Sequence, residues 1–435
     1  MEAVLFIEMK FSLLHPRAQL VTIMERIYGY GMTTTSGGNL SILDENGDMW
    51  ITPAGIDKGT LKPQDIICVK PDGSIIGPHK PSSEYPFHRA IYEKRPDLKA
   101  IVHAHPPALV AFSIARKIPD TRIVPQAHIV CGPVGYAPYR LPGSQELGAV
   151  IADTFAQGFD VVLLENHGVV AGGDSLLTAF QRFETLDFCA RTLIQAHRLG
   201  EVYSLTDAQI ALMHKRHKKL PTFKPAFHTS HERELRQQII DLVHRAYDQR
   251  LMTSTAGTVS ARVDENSFLI TPYGVDRLYL DLDDVVLIRD GQCEHRKQPS
   301  RATRLHMAIY QAHPNIGAII SAQSPNAVAY AVTRRKLDTR TIPESYIVLR
   351  NIPLLPYGVQ FDDGREIVAQ LGKDTPVLLL ENDAILATGE TLMQAFDRLE
   401  VAEFSAQAVI ATTHIGELVP IGSEEVKALE AKFWG

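Results

Sequence analysis

Two histidines, His103 and His105, flank Ala104 at the end of an apolar run. The run reads as a strand. Residues i and i+2 of a strand point to one face, so the two imidazoles can share a metal ion. The 17 histidines in 435 residues give roughly 0.7 such pairs by chance, so the pair alone decides nothing. A third candidate, His167, also follows an apolar run and precedes Gly168. A carboxylate candidate, Glu84, closes the stretch Pro81-Ser82-Ser83-Glu84. Three imidazoles and a carboxylate would make an N/O-rich divalent site with room for a substrate. Near them, Ser36-Gly37-Gly38-Asn39 is a small-residue turn whose backbone N–H groups can converge on an oxyanion. Ala54-Gly55 and the Ser82-Ser83 hydroxyls add to it.

An internal repeat tests this set. Ile51-Thr52-Pro53-Ala54-Gly55-Ile56-Asp57 recurs as Ile270-Thr271-Pro272-Tyr273-Gly274-Val275-Asp276. His88-Arg89-Ala90-Ile91-Tyr92 recurs as His306-Met307-Ala308-Ile309-Tyr310, and Leu163-Leu164-Glu165-Asn166 as Leu379-Leu380-Glu381-Asn382. The chain is a tandem duplication. In the second copy Ser321 stands for His103, Gln323 for His105, Asp383 for His167 and Ala302 for Glu84. The framework pairs His88/His306 and Asn166/Asn382 are kept while all four candidates vanish together. Unrelated surface residues have no reason to be lost as a set; ligands of one ion do.

The elements that must position these residues alternate. Residues 16–30 have helical spacing with Pro16 at a helix start, and 40–43 and 49–52 read as strands around a turn at Gly47. Residues 66–70, 100–105 and 161–166 read as further strands, 87–93 as a helix, and 175–199 as a long helix capped by Asp174 or Ser175 and ended by Gly200. The expected class is α/β, with a central sheet in each copy. The expected domains are 1–215 with an intact metal site, a basic, proline-broken connector at 216–231, and 232–435 without the metal ligands.

Composition narrows the function classes. A net charge of −6 offers no basic field for nucleic acid. The four cysteines form no C-x-x-C pair, which fits a reducing cytoplasm. Glu8 and Lys10 interrupt the apolar N-terminal stretch, which does not read as a signal peptide, and no stretch is apolar enough to span a membrane. Neither a P-loop nor a G-x-G-x-x-G pattern occurs.

The ordered motifs Ser36-Gly37-Gly38-Asn39-Leu40-Ser41, Ile51-Thr52-Pro53-Ala54-Gly55, Lys80-Pro81-Ser82-Ser83-Glu84, His103-Ala104-His105 and Asn166-His167-Gly168 resemble the class II aldolase/adducin-head family of L-fuculose-phosphate aldolase-like enzymes. The resemblance covers almost all of the first copy and, in degraded form, the second. It implies two tandem α/β/α sandwich domains with a largely antiparallel central sheet. It implies one Zn2+ per chain, or another divalent ion such as Mn2+ or Co2+, held by His103, His105 and His167. Glu84 matches the catalytic carboxylate and a possible fourth ligand, and burial is expected to raise its pKa once it leaves the ion. Gly38, Asn39, Gly55, Ser82 and Ser83 match phosphate-binding positions.

Ala54 stands where the family has a phosphate-contacting threonine, and Val124 where it has a catalytic tyrosine, with His128 nearby as a substitute. The implied function is a metal-dependent lyase acting on a ketose phosphate or sugar-acid phosphate through a metal-stabilised enediolate. A decarboxylase or dehydratase on the same scaffold, and an adducin-head-like scaffold protein, are the alternatives. The implied partners are a small phosphorylated substrate and further copies of the chain, as a homodimer forming a pseudo-four-fold ring or as a tetramer.

Overall fold

The computed structural model describes residues 11–213 and 219–434. Among these, residues 11–121 and 127–191 form one compact unit, and residues 122–126 with those from 192 onward form another. In the first unit β1 (Asn39–Leu43), β2 (Met49–Ile51), β3 (Ile67–Val69), β4 (Ile75–Ile76), β5 (Ala100–Ala104), β6 (Val134–Ala137), β7 (Val161–Leu164) and β8 (Val169–Gly173) form one sheet. Its order is β4-β3-β2-β1-β5-β8-β7-β6, and only β6 and β7 pair in parallel.

The strands β5, β7 and β8 are buried along their whole length, as their near-continuous apolar runs require. Met49, Ile51, Ile67, Val69, Ile101, Val162 and Val170 pack on Phe87, Ile91 and Tyr92 of the helix Tyr85–Lys94 and on Leu147, Ile151 and Phe155 of the helix Gln145–Phe155. The helix Pro16–Gly29 packs beside β1 and β2. It begins at the expected proline, with the His15 ring accepting from Arg17 N at 3.2 Å. The helix Leu176–Leu199 starts where Ser175 Oγ accepts from Thr178 N at 3.1 Å and ends at Gly200, φ +149°.

The second unit repeats this plan. Its strands are β9 (Thr222–Phe223), β10 (Thr258–Arg262), β11 (Ser267–Ile270), β12 (Val286–Arg289), β13 (Gln292–Glu294), β14 (Ala318–Ala322), β15 (Leu354–Leu355), β16 (Val377–Leu380) and β17 (Ile385–Gly389). The order β15-β16-β17-β14-β10-β11-β12-β13-β9 is that of the first sheet with one strand added at the edge. The chain thus has two α/β domains, each on one largely antiparallel sheet. The added strand, β9, comes from the segment expected as a connector and pairs in parallel with β13. Thr229 of the same segment caps the helix Ser230–Asp248 by accepting from Glu232 N at 3.1 Å. Residues 216–218 of that segment lie outside the described residues. No helix among the described residues is long and apolar enough to cross a membrane.

One buried polar relay recurs in both domains. Ser41 Oγ lies 2.7 Å from both His88 Nδ1 and the Tyr92 hydroxyl, and Ser260 Oγ lies 2.8 Å from both His306 Nδ1 and the Tyr310 hydroxyl. Burial depresses both histidines to about 3, so each is neutral when folded. The unfolded chain binds these protons near pH 6.5. Their contribution to stability is therefore complete above pH 6.5 and falls with pH down to about 3, by about 1.4 kcal/mol per pH unit for each ring. Urea unfolding between pH 7 and 5 should show this decline, and His306→Gln should roughly halve these rings' share of the slope. An unchanged slope would mean that His306 is protonated in the fold.

Candidate metal centre

His103 lies on β5 with its side chain on the same face as Ile101, towards the helix Tyr85–Lys94, and its ring meets Phe87 edge-on at 5.5 Å. His105 follows the strand end. Its Nε2 sits 3.1 Å from His103 Nε2, close to the roughly 3.3 Å that two imidazole nitrogens have on one tetrahedral Zn2+. The turn between β7 and β8 delivers His167. Candidate ligand atoms of the three rings lie within 4.8 Å of one another. Glu84, at the N-terminus of the helix Tyr85–Lys94, places Oε2 3.2 Å from His103 Nε2 and Oε1 3.4 Å from His167 Nε2.

The surrounding chain fixes each ring. His103 Nδ1 lies 3.0 Å from the Val169 carbonyl, an arrangement in which Nδ1–H donates and Nε2 keeps its lone pair. Ser113, on the helix Pro107–Ile114, accepts from His167 N at 3.0 Å and donates to the Leu164 carbonyl at 2.7 Å. Asn166 turns the chain into His167 at φ +52°, a conformation that asparagine tolerates. Two glycines are sterically required. A Cβ on Gly168 would lie 2.5 Å from His105 Cδ2 and 2.6 Å from the Ala104 carbonyl, and one on Gly38, φ +71°, 2.7 Å from the His103 carbonyl.

Burial, with the proximity of His103, depresses His105 to about 3 and His167 to about 4. Both rings are neutral at physiological pH, as metal ligation requires. Glu84 departs from the sequence expectation. Burial alone would raise its pKa, but His103, His167 and the Asn39 amide outweigh burial and hold the carboxyl well below the usual carboxylate range. Glu84 Oε1 is buried without a hydrogen-bond partner among the described residues. Three convergent imidazoles beside an ionised carboxylate with an unsatisfied oxygen fit a divalent cation.

Among the phosphate candidates, Gly38 and Asn39 border this cluster. Asn39 Nδ2 donates to Glu84 Oε2 at 2.8 Å and Asn39 Oδ1 meets His88 Nε2, so in this structure the amide holds the carboxylate. Ser82 Oγ accepts from Glu84 N at 3.3 Å, while the Ser83 side chain is exposed. Gly55, φ +69°, lies in the turn after β2, tied to the Ser82 loop by the Pro53–Pro81 bridge and by Ala54 N donating to the Lys80 carbonyl at 3.0 Å. His128 Nδ1 lies 3.2 Å from Thr121 Oγ1. The Asn39 relay, the Val169 carbonyl and Ser113 carried no sequence signal as positioning groups, because each acts across 45 to 66 residues of chain.

The model of the Class II Aldolase and Adducin N-terminal domain matches residues 18–194 and again residues 237–410. This chain belongs to that family. Among its class II aldolase relatives, a 5-deoxy-D-ribulose 1-phosphate aldolase of Bacillus thuringiensis serovar kurstaki is 34% identical over 207 residues, covering 46% of this chain and 94% of that protein. A 3-oxo-tetronate 4-phosphate decarboxylase of Escherichia coli is 33% identical, covering 41% and 85%. An L-fuculose phosphate aldolase of Methanocaldococcus jannaschii is 34% identical, covering 39% and 91%.

The second class II aldolase domain carries the same backbone site with other chemistry. Thr258 pairs with Ser321 in the register in which Asn39 pairs with His103, so Ser321 takes the place of that histidine. Burial lifts the Asp383 carboxyl to about 6, and Gln360 Nε2 donates to its Oδ2 at 2.9 Å. With Thr258 in place of Asn39, His306 Nε2 has no hydrogen-bond partner among the described residues.

Proposed function

We propose that this chain is a divalent-metal-dependent lyase of the class II aldolase type, acting on a ketose phosphate or sugar-acid phosphate, with one active and one inactive domain. The observation that carries this reading is the convergence of His103, His105, His167 and Glu84, set beside its loss at Ser321, Gln323, Asp383 and Ala302. His103, His105 and His167 would hold the ion, with Glu84 as a possible fourth ligand. A divalent ion held there would supply Lewis acidity to the carbonyl and hydroxyl oxygens of the substrate. Glu84 moves the proton at the carbon next to the carbonyl. Asn39 and Ser82 orient Glu84, and the Gly38, Gly55 and Ser82-Ser83 turns receive the phosphate.

Metal analysis of the purified, reconstituted chain should find one ion per chain, and dihydroxyacetone phosphate or a related ketose phosphate should exchange its C–H proton for deuterium. Two ions, or none, would sink the reading. An adducin-head-like scaffold is favoured only for the second domain, where the ligand set is gone. Absence of exchange with every ketose phosphate, together with tight capture of a protein partner, would extend that role to the whole chain. A decarboxylase reading has support from the 3-oxo-tetronate 4-phosphate decarboxylase relative, and release of CO2 from sugar-acid phosphates distinguishes it.

The active form is proposed to be a homo-oligomer, either a homodimer forming a pseudo-four-fold ring or a tetramer. Light scattering after size-exclusion chromatography should give at least twice the 48.2 kDa chain mass. A monodisperse, active monomer would overturn it.

A further inference from the structure

The two domains differ at a second place, at the start of β7 in one and of β16 in the other. In the first domain a carboxylate sits between two guanidiniums. Asp160 Oδ1 lies 2.9 Å from Arg95 Nη2, and its Oδ2 lies 2.7 Å from Arg182 Nη2. Asp97 adds a second carboxylate, 2.7 Å from Arg95 Nη2. The repeat places His313 at Arg95, Asn315 at Asp97, Pro376 at Asp160 and Arg398 at Arg182. Both carboxylates are lost and one guanidinium is retained. Arg398 is held like its counterpart: its Nη1 donates to the Thr388 carbonyl at 2.6 Å, as Arg182 Nη1 donates to the Gly172 carbonyl at 2.6 Å.

Where the Asp160 carboxylate would stand, the second domain has a cavity of about 500 Å³. Pro376, Arg398, His313 and Asn315 line it, and so do Arg350 and Lys373, which bring further positive charge. Arg350 pairs with Asp374 and stacks on Trp434, its guanidinium carbon 3.8 Å from the ring centroid. Glu390 lies on the lining, and no carboxylate among the described residues is in ion-pair contact with Arg398. Burial and the neighbouring Arg350 both lower the pKa of Arg398, against the weaker pull of Glu390 and Asp397. The second domain thus keeps a half-buried guanidinium and leaves out the anion that its counterpart faces in the first.

We propose that this cavity binds a small organic phosphate, its phosphoryl group seated between Arg398 and Arg350 in the place of the Asp160 carboxylate. Guanidinium forks match phosphate oxygens in pairs, and Lys373 adds a point charge suited to a dianion. The cavity far exceeds the volume of a lone carboxylate, and Ile316, Ile347 and the Trp434 ring give an organic body an apolar wall. The site lies at the opposite end of β16 from Asp383, so it is separate from the degenerate counterpart of the metal centre.

The chain has two tryptophans, Trp50 and Trp434, so the full chain carrying Trp50→Phe reports on this site through Trp434 fluorescence alone. At constant ionic strength, glycerol 3-phosphate should give a saturable change, inorganic phosphate a weaker one, and glycerol none. Arg398→Gln, and Pro376→Asp, which restores the carboxylate of the first domain, should each raise the midpoint tenfold or more. Lys373→Ala, at an exposed position, should raise it several-fold and carries the test if either of the other variants does not fold. No saturable change with either phosphate, an equal response to glycerol, or midpoints unmoved in the folded variants would overturn the proposal.

Discussion

His103→Ala should abolish metal binding and activity together. The ring is fully buried, its Nδ1 is anchored on the Val169 carbonyl, and its Nε2 faces both His105 and Glu84. Losing only a hydrogen-bond partner of a ligand typically costs roughly 10–100-fold in metal affinity. Losing the central ligand of a three-imidazole set costs more, because the two remaining rings come from separate loops. The buried position brings a folding penalty of its own, so circular dichroism must accompany metal analysis. His167→Gln, at a half-buried turn position, gives the same test with less damage to the core. A folded His103→Ala protein that retained one ion per chain would remove His103 from the site.

Glu84→Gln should keep most of the metal and lose turnover by roughly 10²–10⁴-fold, the range for a lost general acid/base. The amide is isosteric and can still accept from Asn39 Nδ2, so the geometry should survive while the proton carrier is removed. Deuterium exchange on the ketose phosphate reads proton transfer directly and should fall with the rate of C–C cleavage. A near-normal rate would assign the proton to another group, with His128 the first to examine. Asn39→Ala makes an informative contrast. It leaves the carboxyl in place but removes the contact that orients it, so it should reduce turnover less than Glu84→Gln does and shift the pH profile. A loss in Asn39→Ala as deep as that in Glu84→Gln would make the amide as important as the carboxylate.

Much of the candidate site is legible in the linear chain because the chain carries its own comparison. His103, His105, His167 and Glu84 stood out once Ser321, Gln323, Asp383 and Ala302 were read against them, and the i, i+2 spacing on a strand placed the first two rings on one face. Element boundaries near the site were also readable. Pro16 starts a helix, Ser175 caps another, and the strand before His105 ends within one residue of its expected limit.

Other features depended on the tertiary structure. The direction of the Glu84 pKa is one, since burial and the imidazoles act oppositely and only their distances decide which prevails. The relay from Tyr92 through Ser41, His88 and Asn39 to Glu84 joins positions scattered over 53 residues, which no local periodicity links. The edge strand Thr222–Phe223 was hidden in a basic, proline-broken stretch, because a two-residue strand has no periodicity and exists only by pairing with β13. The pocket beside Arg398 was equally invisible, although Pro376 and Asn315 were in plain view. A missing carboxylate gains meaning only when folding shows which guanidinium it had faced.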